Sequence, residues 1–234
     1  MTSELSYTGK PVVVGITGAS GSVLGFRLIK ELLRISQPVE LVMTEKSLQV
    51  ILEETGLKIG GGSGEDKIDK VIQYLQAPSE SRHLLKVYGN HRLDAPPSSG
   101  THLTRGMAII PCSMGTLGRV ATGITDNLVA RAADVTMKEH RKLIIVPRES
   151  PLNQIHLKNL LTLSQCGVCV IPPVLSFYLM DFNSLEGQIN YTVGKVLDQL
   201  GFEHDLYTRW GAQNDSAAAH KRPADAGPVI SHTY

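Results

Sequence analysis

Four short apolar runs punctuate the chain: Pro11-Val-Val-Val-Gly-Ile16, Met107-Ala-Ile-Ile110, Leu143-Ile-Ile-Val146 and Val168-Cys-Val-Ile171. They show no alternation with polar residues, the pattern of strands buried on both faces of a parallel sheet. The last three are followed by proline, at 111, 147 and 172–173. Proline cannot continue a central strand, so each is read as the point where a loop leaves the sheet. A further strand ends at Val42-Met43-Thr44. Between the strands lie segments of helical period at 22–35, 44–55, 114–139 (broken near Gly123), 151–165 and 184–200. Strand alternating with helix predicts right-handed crossovers and an α/β fold, a doubly wound, mainly parallel sheet with helices on both faces.

Residues 56–105 break the rhythm. Gly60-Gly-Gly-Ser-Gly64 precedes a helix around 66–76, and Ala95-Pro-Pro-Ser-Ser-Gly100 follows. The region reads as an irregular excursion that returns to the ligand-binding edge of the sheet. From Ala212 to Tyr234 the chain is rich in Ala, Asp, Pro and His without period, the pattern of a disordered tail. A single domain over 1–211 with a tail at 212–234 suits a length of 234 residues. Apolar residues at 42% and charged residues at 19% supply a core. Lys and Arg number 23 against 22 Asp and Glu, a formal charge of +1, so no global field draws the protein to nucleic acid or an anionic membrane. The start is polar, and the run 11–16 is too short for a signal core or a membrane span. Cys112, Cys166 and Cys169 form no secreted-type framework. Together these features predict a cytoplasmic protein.

The first strand runs into Gly15-Ile-Thr-Gly18-Ala19-Ser20-Gly21-Ser22, and a helix follows at once. Glycines there allow close backbone approach, and the amides and dipole of a helix N-terminus favour a bound phosphate over an empty turn. The dinucleotide fingerprint fails at Ser22 and Leu24, where glycines are required. Thr44 puts a hydroxyl where a nicotinamide enzyme places a carboxylate for the ribose, and a hydroxyl suits a ribityl chain or phosphate better. Tyr191-x-x-x-Lys195 imitates a dehydrogenase pair, but no Ser lies at the spacing upstream that would support it.

Later motifs narrow the choice. Pro111-Cys-Ser-Met-Gly-Thr-Leu117, Asp126-Asn-Leu-Val-Ala-Arg131-Ala-Ala-Asp-Val135, Met137-Lys138-Glu139, Val146-Pro-Arg148-Glu149-Ser-Pro151, Pro172-Pro173 with Phe177-Tyr178, and Arg209-Trp210 occur in this order. With Gly18-Ala-Ser-Gly21 they closely resemble the UbiX-type flavin prenyltransferases over about 11–211, apart from 56–94. The resemblance implies a Rossmann- or flavodoxin-like fold that binds FMN. It implies metal-independent transfer of a dimethylallyl group from dimethylallyl phosphate to reduced FMN. The product would serve a UbiD-type decarboxylase, and the protein would be a homo-oligomer, commonly a dodecamer. It gives FMN binding to Gly18, Ala19, Ser20, Thr44, Ser113, Met114, Gly115, Thr116 and Arg148, and catalysis to Glu149 and Ser20. Arg131, Lys138, Tyr178, Lys195 and Trp210 would hold the prenyl donor.

Each assignment has a plainer reading beside it. Arg131 and Lys138 are seven apart, so on a helix capped near Thr125 or Asp126 they emerge about 20° apart and suit one anion. Asp134 is placed to pair with either. Arg148-Glu149 could be a surface ion pair, Ser113 a helix N-cap, and Trp210 a packing residue. The chain has Leu179-Met-Asp181 where most relatives have His-Arg-Pro, Lys195 where Arg is usual and Gly115 where Lys is usual. Those changes favour the main alternative, a non-catalytic FMN-binding or flavin-delivery paralogue. A phosphopantothenoylcysteine-decarboxylase-like flavoprotein should carry Pro-Ala-Ser-Ala-Asn-Thr at 111–116. Cys166-Gly-Val-Cys169 lacks a second ligand pair and reads as buried structural cysteines. His91, His102, His140 and His156 show no ligand spacing, so no metal site is predicted.

Overall fold

The computed structural model describes residues 9–177 and 183–209. Six strands form one parallel sheet: β1 (Val12–Ile16), β2 (Val39–Met43), β3 (Leu85–Gly89), β4 (Gly106–Cys112), β5 (Lys142–Pro147) and β6 (Cys169–Val170), in the order β3-β2-β1-β4-β5-β6. Leaving aside the edge strand β3, the other five follow the flavodoxin order. The seven α-helices of the described residues are α1 (Ser22–Arg34), α2 (Glu45–Thr55), α3 (Gly64–Leu75), α4 (Met114–Thr122), α5 (Leu128–Lys138), α6 (Gln154–Gln165) and α7 (Leu185–Leu200).

Successive strand residues face opposite sides, so one sheet feeds two cores. Val12, Val14, Ile16, Leu41, Ile144 and Val146 pack with Phe26, Leu28 and Val193 in the layer holding α1, α3 and α7. Val13, Val42, Met107, Ile109, Leu143 and Ile145 pack with Leu117, Val129 and Leu163 of α4, α5 and α6. All five residues of β1 are buried, as its unbroken apolar run requires.

The structure departs from the sequence reading at several points. The prolines lie inside strand ends: β4 continues through Pro111 to Cys112, and β5 includes Pro147. The register shifts between Ile109 and Cys112, so Pro111 sits at an irregularity where no ladder donor is needed. The β6 pairing stops at Ile145–Val170, which leaves Pro147 a strand neighbour on one side. The excursion is more ordered than expected, carrying α3 with a Ser63–Asp66 capping box and then the unforeseen β3. The break at Gly123 occurs as read, but the N-cap of α5 is Asn127, not Thr125 or Asp126. α6 begins at Gln154 behind Asn153, three residues later than expected. Cys166 is exposed at the end of α6 and Cys169 only partly buried, so this pair is not a buried one. Nothing is described for 212–234.

Candidate functional site

The chain leaves β1 toward β2 on one side and returns to β4 on the other, so the switch point of the sheet, where ligands of open α/β folds bind, lies at the carboxyl edge between β1 and β4. Hydrogen bonds knit that edge sideways. The Thr44 amide donates to the Ile16 carbonyl at 3.1 Å, and the Thr17 amide to the Pro111 carbonyl at 3.2 Å. The fully buried Thr17 hydroxyl donates to the Pro111 carbonyl at 2.9 Å and accepts from the Ser113 amide at 2.8 Å. The Arg148 amide donates to the Cys112 carbonyl at 3.1 Å. Residues far apart in sequence are thereby fixed along one rim: the 17–20 turn, Thr44, Ser113 and Arg148.

Local sequence explains each station. Gly18 passes so close to α2 that a Cβ would fall 2.7 Å from the Lys46 Cβ, so a side chain here would push the turn off the sheet edge. Thr44 is the N-cap of α2, its hydroxyl accepting from the Ser47 amide at 3.3 Å. Ser113 caps α4 through the Thr116 amide at 3.3 Å, and its hydroxyl lies 3.2 Å from that of Thr116. The hydroxyls of Thr44 and Thr116 keep a donor for a ligand, whereas Ser113, which donates to Thr116, offers only its remaining lone pair. Met114 and Thr116 are buried, and Gly115 is exposed.

The amides of Gly21 and Ser22, at the head of α1, are not left free for a phosphate. The Glu54 carboxylate, at the end of α2, accepts from the Gly21 amide at 2.8 Å, the Ser22 amide at 2.9 Å and the Ser22 hydroxyl at 2.6 Å, and also from Ser20. An internal anion therefore occupies the α1 N-terminus where an external one was expected. Burial pushes the Glu54 carboxyl up, but the hydrogen bonds from Ser22, Ser20 and Gly21 outweigh it and hold the group below the usual carboxylate range. The sequence held a sign of this residue. Glu54 lies three positions after Ile51 and seven after Ser47, both buried, so it sits on the side of α2 turned toward the sheet edge while remaining exposed itself.

Arg148 and Glu149 are exposed just beyond β5 and do not pair with one another. Glu149 accepts only from the neighbouring Ser150 amide, at 3.1 Å. Arg148 is the one arginine among the described residues whose side chain makes no hydrogen bond or ion pair. Arg131 and Lys138 are already engaged: Arg131 meets Asp134 at 2.8 Å and the Ser98 carbonyl at 3.1 Å, and Lys138 pairs with Glu139. No recorded contact among the described residues joins either to Ser20, Ser113 or Arg148. Lys195, on α7, lies 4.0 Å from Asp198. Tyr178 and Trp210 lie outside the described residues. No group of three or more His, Cys, Asp or Glu among the described residues is arranged to hold a metal ion. Burial drives the Cys112 thiol far above its ordinary range, leaving it inert beside the site.

A parallel sheet whose switch point is rimmed by hydroxyls and one unpaired guanidinium belongs to the class of α/β proteins whose carboxyl edge suits a phosphorylated, polyhydroxylated cofactor. The Flavoprotein family model matches residues 1–199. The flavin prenyltransferase UbiX of Halalkalibacterium halodurans is 46% identical over 206 residues, covering 87% of this chain and 94% of that protein. Among solved structures, AnUbiX in complex with FMN and dimethylallyl pyrophosphate superposes with a TM-score of 0.73 at 35% identity, over 86% of this chain and 97% of that one. The dodecameric FMN-dependent Ubix-like decarboxylase of Escherichia coli O157:H7 gives 0.72 at 37%, over 86% and 98%. The chain belongs to the flavoprotein family and, within it, to the UbiX-type flavin prenyltransferases.

Proposed function

We infer that this protein transfers a dimethylallyl group from dimethylallyl phosphate to reduced FMN, making prenylated FMN for a UbiD-type decarboxylase. The observation that carries the reading is the unpaired Arg148 guanidinium on a rim of hydroxyls at the carboxyl edge. That donor set fits FMN: Ser20, Thr44, Ser113 and Thr116 offer hydroxyls for the ribityl chain and phosphate, Gly18, Ala19, Met114 and Gly115 bring backbone close, and Arg148 supplies charge. When bound, reduced FMN supplies the nucleophilic ring atoms that accept the prenyl carbon.

The remaining work falls to this chain. Arg131, Lys138, Tyr178 and Lys195 bind the donor phosphate and stabilise its charge as it departs, the first two turning from Asp134 and Glu139 to do so. Trp210 walls the prenyl pocket. Ser20, beside the ionised Glu54, would relay a proton, taking up the one that the reacting centre gives up while handing its own to that carboxylate, and Glu149 is a second carboxylate next to Arg148 at the end of β5. Residues 1–211 are taken as the flavin-binding unit, with 212–234 outside it. Three unpaired cysteines suit a reducing cytoplasm. No helix among the described residues is long and apolar enough to cross a membrane.

A homo-oligomer, a dodecamer as in the Escherichia coli relative, accounts for α6. Ile155, Leu157 and Leu161 are 68%, 54% and 59% exposed there, an apolar surface larger than a solitary helix should present.

The test is transfer of product. The chain is incubated anaerobically with FMN, a reductant and dimethylallyl phosphate, and the protein-free filtrate is given to a cofactor-free UbiD-type decarboxylase. Carbon dioxide release that depends on all three additions is expected. A filtrate that never activates the decarboxylase, from a chain that retains FMN, favours the flavin-delivery paralogue to which the changes at 115 and 179–181 point.

A further inference from the structure

Beyond α7 the chain doubles back. Arg105 holds the turn, donating to the carbonyls of Leu200 at 3.2 Å and Gly201 at 2.9 Å and lying 3.9 Å over the Phe202 ring. Residues 202–209 then run along α7, and the path exists because position 194 has no side chain. A Cβ on Gly194 would sit 2.5 Å from the Tyr207 ring and 2.7 Å from the His204 ring. Tyr207 stacks edge-on against Tyr191, 5.2 Å between centroids.

This segment ends on Asp198. Its carboxylate accepts from the Tyr207 hydroxyl at 2.5 Å and from both terminal nitrogens of Arg209, at 2.7 and 3.5 Å. The ring of His204, almost wholly buried, lies 3.3 Å away without a hydrogen-bond alignment. A carboxylate has about four acceptor positions, and these contacts nearly fill them. Lys195, one turn earlier on the helix, is left at 4.0 Å, beyond hydrogen-bond reach. Burial pushes the Asp198 carboxyl up, and the bonds from Arg209 and Tyr207 more than reverse it, so the group is ionised near neutrality.

We propose that Arg209 is a positioning residue: by occupying Asp198 it keeps the Lys195 ammonium available for the phosphate of the prenyl donor. The inference rests on the functional reading above, which gives Lys195 to that phosphate. The physical argument is competition between cations. Asp198 and Lys195 are three apart on one helix, a spacing at which opposite charges pair. With Arg209 gone, the carboxylate loses its strongest partner and draws in the nearest ammonium, and a lysine held by aspartate is a poor anion ligand. A guanidinium is the better guard, because its planar fork satisfies both oxygens at once.

Such competition has a signature that a merely structural role lacks, namely rescue by removing the carboxylate. FMN-loaded, oxidised protein is titrated with dimethylallyl monophosphate by calorimetry, so that donor binding is read without turnover. Arg209→Ala should weaken donor binding about tenfold. Asp198→Asn, which keeps an acceptor for Tyr207, should change it by no more than about twofold. The double variant should return to within about threefold of the parent, and FMN affinity should be unchanged throughout. In turnover the loss should appear in KM with kcat nearly constant. A double variant as weak as Arg209→Ala, or an Arg209→Ala protein that binds donor normally, overturns the inference alone. A parent protein that binds FMN but no donor overturns the functional reading, and this inference with it.

Discussion

Arg148 and Glu54 show how much one side chain's partners reveal. Arg148 follows a buried strand, which is legible in the sequence, and the structure adds that no carboxylate claims it. Arg148→Ala should weaken FMN binding by about ten- to a hundredfold, measured by fluorescence titration. Glu149→Gln should keep FMN and lose turnover, about a hundredfold in kcat. The glycine turn teaches the opposite lesson. Its residues were recognisable, but the anion it holds is Glu54, more than thirty residues away, and local pattern carries no record of such a partner. If Ser20 and Glu54 relay a proton, Glu54→Gln should bind FMN normally with kcat also down about a hundredfold. Glu54 and Asp198 are more acidic in the folded chain than in the unfolded one. Their stabilisation is therefore complete above the unfolded carboxylate range, at pH above ~4.5, and is lost as pH falls through their lowered values. Tm measured from pH 6 to pH 3 should fall on the acid side, and less steeply in Glu54→Gln.

Among the elements, the strands that were easiest to read are those buried on both faces, because burial removes polar alternation. β3 escaped notice for the converse reason. It is an edge strand with its first residue buried and the rest partly exposed, and Lys86 and Tyr88 interrupt any apolar run. Yet it shapes the site: Asn90, just beyond it, accepts from the Leu128 amide at 2.7 Å with its carbonyl and from the Val129 amide at 3.1 Å with its side chain. The start of α5, which carries Arg131 and Lys138, thus depends on both Asn90 and the Asn127 cap. Asn127→Ala should cost about 1 kcal/mol, seen as a Tm lower by roughly 2–4 °C. Thr17→Val should cost about 1–3 kcal/mol, because the Ser113 amide loses its acceptor where β1 and β4 are joined.

At the scale of the whole molecule, the sheet order and the apolar surface of α6 are the observations behind the proposed flavin site at the carboxyl edge and the proposed association with further copies of the chain. Replacing Ile155 and Leu161 together with Glu should dissociate the assembly, read as a drop in mass by light scattering, since two charges on an apolar interface have no partners there. The fold could be read from sequence, and so could the hydroxyls that line the carboxyl edge, because a strand end and its hydroxyl lie together in the chain. The state of Arg131, Lys138 and Lys195 could not, because each depends on which carboxylate folding brings near it. The chemistry itself is tested most directly by the mass of the flavin extracted after anaerobic incubation with FMN, a reductant and dimethylallyl monophosphate, with the diphosphate in parallel. A flavin heavier by one C5 prenyl unit is the predicted result. Unmodified FMN with both donors, from a protein that plainly binds it, would contradict the account.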